Sequence, residues 1–183
     1  RKTTMIKIKD MTMPELASYV CTALDVNGID VVLSGGSFVE IYSRGDYTSF
    51  DIDLINRYND TFFKIKKVME NLGFEEDGKY FIYPETKFFI EFPSGPLGVG
   101  DAPVKKIEKL STKYGTLKLL TATDCIKDRL AAYYHWDDEQ GLSQSIWVAQ
   151  KNDINLEEIK LWSQKEQSIE KYNIFVDKLD KVN

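Results

Sequence analysis

The segment Phe50-Asp51-Ile52-Asp53-Leu54-Ile55 alternates apolar and acidic side chains more sharply than any other stretch of the chain. Successive side chains of a β-strand point to opposite faces. Phe50, Ile52 and Leu54 are therefore expected to face a core, with Asp51 and Asp53 together on the other side. Two carboxylates side by side on a half-buried strand repel each other and resist desolvation, so a compensating cation is their natural partner. Mg²⁺ (or Mn²⁺) takes one or two carboxylates and fills its shell with water and phosphate oxygens, which makes a nucleotide the expected companion. The competing reading puts both acids on the solvent side of an edge strand, where charge deters edge-to-edge association.

Upstream, Ile29-Asp30-Val31-Val32-Leu33 reads as a buried strand entering Ser34-Gly35-Gly36-Ser37, and Phe38 to Tyr42 suits a short helix. A tight turn that opens a helix presents backbone N–H groups and a hydroxyl to phosphate, so Gly35, Gly36 and Ser37 are candidate nucleotide-binding residues. A glycine pair by itself is an ordinary turn. In combination, Leu33-Ser34-Gly35-Gly36-Ser37, the intervening residues 38–50, and Asp51-Ile52-Asp53-Leu54 resemble the defining motif of the DNA polymerase β-like nucleotidyltransferase superfamily. The resemblance implies a glycine-serine turn that binds the triphosphate, two strand acids that coordinate metal ions, and a third acid on a later strand. Glu91, in Phe89-Ile90-Glu91-Phe92, matches that third position, and the three carboxylates are expected to converge. Many members carry Asp there, and a solvated Glu on an edge strand is the plainer alternative.

The wording around the motif, with Arg44 ahead of Asp51, is similar to the AbiEii-type abortive-infection toxin group and its bacterial relatives, over about the first two-thirds of the chain. Asp124-Cys125-Ile126-Lys127-Asp128-Arg129-Leu130-Ala131-Ala132-Tyr133 resembles that group's helix with a phosphate-gripping basic residue. By register Arg129 takes the role, with Lys127 the alternative. A structural ion pair from Arg129 to Asp124, Asp128 or Asp137 is equally open. His135-Trp136 stands where the group carries a basic residue before the acid matched by Asp137, and His135 is given no role. Tyr133, Tyr134, Trp136, Trp147 and Trp162 recur at spacings that suit core packing between helices, and Lys64, Lys66 and Lys67 suit a solvated face.

Periodicity predicts helices from Pro14 to about Asn27 and from Phe62 to Leu72. A hairpin of Tyr80–Tyr83 and Lys87–Phe92 follows, then a loop from Pro93 to Pro103 and two strands between Val104 and Leu120. Helices are expected near Thr123 to Trp136, Asp138 to Lys151, Asn155 to Glu166 and Ile169 to Lys181. The expected fold is α/β of the minimal nucleotidyltransferase type, a short mixed sheet within residues 1–120 followed by a helical bundle in residues 121–183.

With 43% hydrophobic, 13% aromatic and 29% charged residues, the 183-residue chain has the balance of a globular protein. A net charge of −5 opposes broad electrostatic binding to a polynucleotide backbone. Cys21 and Cys125 stand far apart without metal-site spacing and read as buried thiols. No apolar run is long enough to span a bilayer, and Arg1 to Asp10 is unlike a secretory leader, so a cytoplasmic location is expected. Met5 or Met11 offers an alternative start.

These readings converge on transfer of a nucleoside monophosphate from a nucleoside triphosphate to an acceptor hydroxyl, on an RNA end, a protein or a small molecule. The toxin-group resemblance adds a cognate antitoxin as a partner. An alternative is a nucleotide- or metal-binding module without transfer activity that acts through protein partners; a third is an interaction protein whose acids line a solvent face.

Overall fold

The computed structural model describes residues 6–183, so Met5 and the first residues of the charged opening stretch lie outside it. After a single 3₁₀ turn at Ile8–Asp10, the order is α1 (Met13–Val26), β1 (Val31–Ser34), α2 (Gly35–Tyr42), β2 (Asp51–Asn56) and α3 (Phe62–Asn71). Then come β3 (Glu75–Asp77), β4 (Tyr80–Ile82), β5 (Phe89–Glu91), β6 (Gly98–Val99), β7 (Ala102–Pro103), β8 (Ile107–Thr112) and β9 (Gly115–Leu120). Helices α4 (Ala122–Trp136), α5 (Glu139–Lys151), α6 (Leu156–Lys165) and α7 (Ile169–Val182) complete the chain. The fold is α/β, a mixed sheet followed by a helical C-terminal part.

The main sheet has seven strands in the order β3-β4-β5-β2-β1-β9-β8. β1 is antiparallel to β2 and parallel to β9; β2 is parallel to β5; β4 is antiparallel to both β3 and β5. The acid-bearing strand β2 is therefore interior, between β5 and β1, which removes the edge-strand reading of Asp51 and Asp53. Glu91 is likewise on an interior strand. Phe50 departs from expectation: it precedes the strand and is 47% exposed, whereas Ile52 and Leu54 are fully buried.

The chain divides into two compact units. One comprises Arg1–Ser37, Ser49–Pro96 and Lys109–Leu119. In it α1 packs on β1, β2 and α3, and Leu16, Val20, Leu24, Val32, Leu33, Ile52, Leu54, Met69, Phe81 and Ile90 are wholly buried. Each such side chain contributes on the order of 1.5–3 kcal/mol when fully withdrawn from water. α1 starts cleanly because Thr12 and Glu15 form a reciprocal capping box and Pro14 sits in the first turn.

The other unit comprises Phe38–Thr48, Leu97–Glu108 and Leu120–Asn183. α4 packs against α5 and α6, and α7 packs against α5 and α6. Side-chain caps set the helix starts: Thr121 Oγ1 accepts from Asp124 N at 3.1 Å, Asp138 Oδ1 from Gln140 N at 3.0 Å, and Asn155 Oδ1 from Glu158 N at 3.0 Å. Gly141 lets α4 and α5 approach closely, since a Cβ there would lie 2.5 Å from the Arg129 carbonyl oxygen. The stretch read as an unbroken loop from Pro93 to Pro103 instead contains the small β6–β7 hairpin. Long-range contacts hold it, with Trp162 Nε1 donating to Val99 O at 3.3 Å and Glu166 Oε1 accepting from Asp101 N at 3.0 Å. Tyr134 stacks on Trp162 at 5.5 Å, as core packing requires, but Trp136 is 83% exposed. Both cysteines are buried free thiols.

Candidate active site

β1 delivers the chain to the glycine turn. Ser34 is the register partner of Asp53, and the next residue, Gly35, adopts φ +69° and opens α2. The helix begins three residues earlier than the expected Phe38, so Gly35, Gly36 and Ser37 form its first turn, where backbone N–H groups have no partner within the helix. Gly35 and Gly36 are half-buried, whereas Ser37 is fully buried and its hydroxyl donates to the Asp51 carbonyl. Ser49 Oγ donates to the same carbonyl at 3.1 Å. Two hydroxyls thus fix the start of β2 and, with it, the direction of the Asp51 side chain.

Register decides which acids share a face. In the parallel pairing of β2 with β5, Asp51 is opposite Phe89, Ile52 opposite Ile90 and Asp53 opposite Glu91. Ile52 and Ile90 are buried on the core face, which leaves Asp51, Asp53 and Glu91 together on the other. The three acids share a face without being drawn into one ligand group: among the described residues, no three His, Cys, Asp or Glu side chains are gathered closely enough to hold a metal ion. Glu91 also has a partner of its own. Glu91 Oε2 is 3.2 Å from Lys79 Nζ, and the ammonium also lies 4.9 Å from the centre of the Tyr80 ring. Hydrogen bonding to Tyr80, and then to Glu91, raises the Lys79 pKa above the ordinary lysine value.

Sequence reasoning missed Lys79. Its place was readable from Gly78, a turn glycine at φ +61°, since Asp77 pairs with Tyr80 and leaves Gly78 and Lys79 as the turn. Its contact with Glu91 needs the β4–β5 pairing, in which Tyr80 is opposite Glu91.

No protein-family profile and no curated protein sequence matches the chain. Solved structures do. An antigenic nucleotidyltransferase-like protein from Paracoccidioides brasiliensis is similar with a TM-score of 0.56 at 15% identity, over 75% of this chain and 77% of that one. The antibiotic-resistance factor ANT(2'')-Ia is similar with a TM-score of 0.54 at 11% identity, over 85% of this chain and 93% of that one. This chain shares the nucleotidyltransferase fold. The likeness is one of architecture, and neither structure singles out the toxin group.

The basic residues Lys127 and Arg129 on α4 have protein partners. Arg129 Nε donates to Asp128 Oδ2 at 2.9 Å, Nη2 donates to the same oxygen, and the guanidinium lies 6.0 Å from the Phe38 ring centre. Burial alone would lower the Arg129 pKa, but the Asp128 charge and hydrogen bond more than offset it. Lys127 is buried, with Nζ 3.1 Å from Glu158 Oε1 and 3.7 Å from Asp124 Oδ1. Of the acids weighed for Arg129, Asp128 is the one it bonds; Asp137 binds Lys171 at 2.6 Å. His135 Nε2 is 3.0 Å from Glu166 Oε2. Lys64 and Lys66 are tied to Asp60 at 3.5 Å and Glu76 at 2.7 Å.

Proposed function

We propose that the protein is a nucleotidyltransferase that moves a nucleoside monophosphate from a nucleoside triphosphate to an acceptor hydroxyl. The observation that carries this reading is the register Ser34–Asp53–Glu91 across β1, β2 and β5. It sets the first turn of α2 on one side of the acid pair and the third acid on the other. Asp51 and Asp53 suit Mg²⁺ or Mn²⁺, because they offer oxygen donors on one face and such ions need only one or two carboxylates beside phosphate and water oxygens. When bound, the ion supplies charge neutralisation of the triphosphate. Gly35 and Gly36 orient phosphate oxygens through backbone N–H groups, Ser37 and Ser49 hold β2 in place, and Asp51 and Asp53 fix where the triphosphate settles. Glu91 is the third acid. Arg129, or Lys127 as its alternative, is proposed to grip phosphate on the resemblance of α4 alone.

The deciding experiment incubates the full chain with each α-labelled nucleoside triphosphate, Mg²⁺ and a cell lysate, then separates RNA, protein and small molecules. Label is expected in one fraction with wild type and in none with Asp53→Asn. Equal labelling by both sinks the reading. Growth arrest on expression, relieved by a neighbouring gene product, would add the toxin-like role and its antitoxin.

The ion pair between Lys79 and Glu91 favours a second reading, a nucleotide- or metal-binding module without transfer. Stabilisation by Mg²⁺ and nucleotide with no label in any fraction is its signature.

A further inference from the structure

Glu91 has a cation of the protein's own at its carboxylate. Lys79 reaches it from the β3–β4 turn, 3.2 Å from Oε2, with its side chain 64% exposed. The contact is not needed to build the turn. Backbone pairing of Glu75 with Ile82, Glu76 with Phe81 and Asp77 with Tyr80 already closes the hairpin, and β4–β5 pairing already sets Glu91 opposite Tyr80. We infer that Lys79 is a positioning residue of the acid site: its ammonium occupies the cation position at Glu91 and competes with the divalent ion for that carboxylate. This rests on the proposed function and specifies how its third acid is made available.

The magnitudes suit exchange rather than blockade. Exposed ammonium–carboxylate pairs are weak, and a divalent ion brings twice the charge to the same oxygens. The competing ammonium should therefore weaken ion binding by about two- to five-fold. Release of Lys79 is local, since it sits in a turn already closed by its backbone.

Mn²⁺ titration of the full chain without nucleotide, read by the loss of the free-ion electron paramagnetic resonance signal, tests the inference. Lys79→Met should tighten Mn²⁺ by about two- to five-fold, and Lys79→Arg, which keeps the charge, should stay near wild type. Glu91→Gln should weaken binding, and adding Lys79→Met to Glu91→Gln should bring back little of the gain. Unchanged affinity in Lys79→Met overturns the inference. So does a gain that persists in full beside Glu91→Gln, because the lysine would then act through its field and not through Glu91. The two levels separate cleanly. Binding that is lost in Asp53→Asn but indifferent to Lys79 defeats the inference alone, whereas no saturable Mn²⁺ binding by wild type defeats it together with the proposed function.

Discussion

Gly35 backs onto Asp53 so closely that a Cβ on Gly35 would lie 2.1 Å from Asp53 Oδ2 and 3.1 Å from its Cγ. The backbone there also has φ +69°, a left-handed conformation that costs a residue with a Cβ roughly 1–2 kcal/mol. Gly35→Ala should therefore destabilise the fold by on the order of 1–3 kcal/mol and turn the Asp53 carboxylate away. Guanidinium melts give the first effect. Mn²⁺ affinity, expected to fall, gives the second.

Asp51→Asn and Asp53→Asn should each abolish nucleotidyl transfer while leaving stability without metal unchanged or slightly raised. Asn keeps the shape of Asp and removes one of two like charges on a shared face, which relieves repulsion and weakens the clamp on a divalent ion. Thermal melts with and without Mg²⁺ and nucleotide, beside label transfer, check both halves. Full transfer by Asp53→Asn would end the mechanism.

Arg129→Ala leaves Asp128 without its guanidinium in a partly buried setting, so stability should drop by about 1–2 kcal/mol. Asp128→Asn in the same chain should recover part of the loss. A separate outcome bears on phosphate: nucleotide affinity is expected to fall more than Mn²⁺ affinity in Arg129→Ala, measured by calorimetric titration at a temperature where the variant is folded.

Two phenols, half-buried Tyr42 and buried Tyr134, shape the alkaline limb. Burial raises both Tyr42 and Tyr134 well above the ordinary value of 10.0. Tyr42 donates to the Leu120 carbonyl, and Tyr134 shares a 2.8 Å hydrogen bond with Ser163. An unfolded phenol loses its proton near the ordinary value while the folded one keeps it, so the folded state holds more protons above that pH. Stability from these groups is then fully present below about pH 10 and falls as pH rises further. The Tyr42→Phe/Tyr134→Phe double variant should be less stable at pH 8 by about 1 kcal/mol per lost bond. It should also show a shallower decline between pH 10 and 11 in guanidinium midpoints.

The acid strand and the glycine turn were legible because each is written in consecutive residues: a period of two in Phe50–Ile55, and a glycine pair after an apolar run. The strand that carries Glu91 was legible for a related reason, as Ile90 between Phe89 and Glu91 marks a strand with one buried face. What stayed hidden depends on distant partners. β3 is Glu75-Glu76-Asp77, exposed throughout and poor in intrinsic strand preference, and is held by pairing with β4. The β6–β7 hairpin exists among glycines and prolines because Trp162 and Glu166 bond to it. Arg129 read equally well as a phosphate ligand or an ion-pair partner, since spacing along one helix does not say which acid it will meet; in the fold it is the adjacent Asp128.

The parallel pairing of β2 with β5 also sets an order in time. α3, β3 and β4 lie between Asp53 and Glu91 along the chain, so the two residues become neighbours only after that whole excursion has closed on itself. Contacts of such sequence separation form late and slowly compared with a helix or a hairpin. During synthesis the chain up to Asn56 already contains the glycine turn and both β2 acids, yet Glu91 and its lysine have still to be made. The proposed site is therefore finished only when the sheet is, and a chain stalled or cut before Phe89 carries the two β2 acids without Glu91.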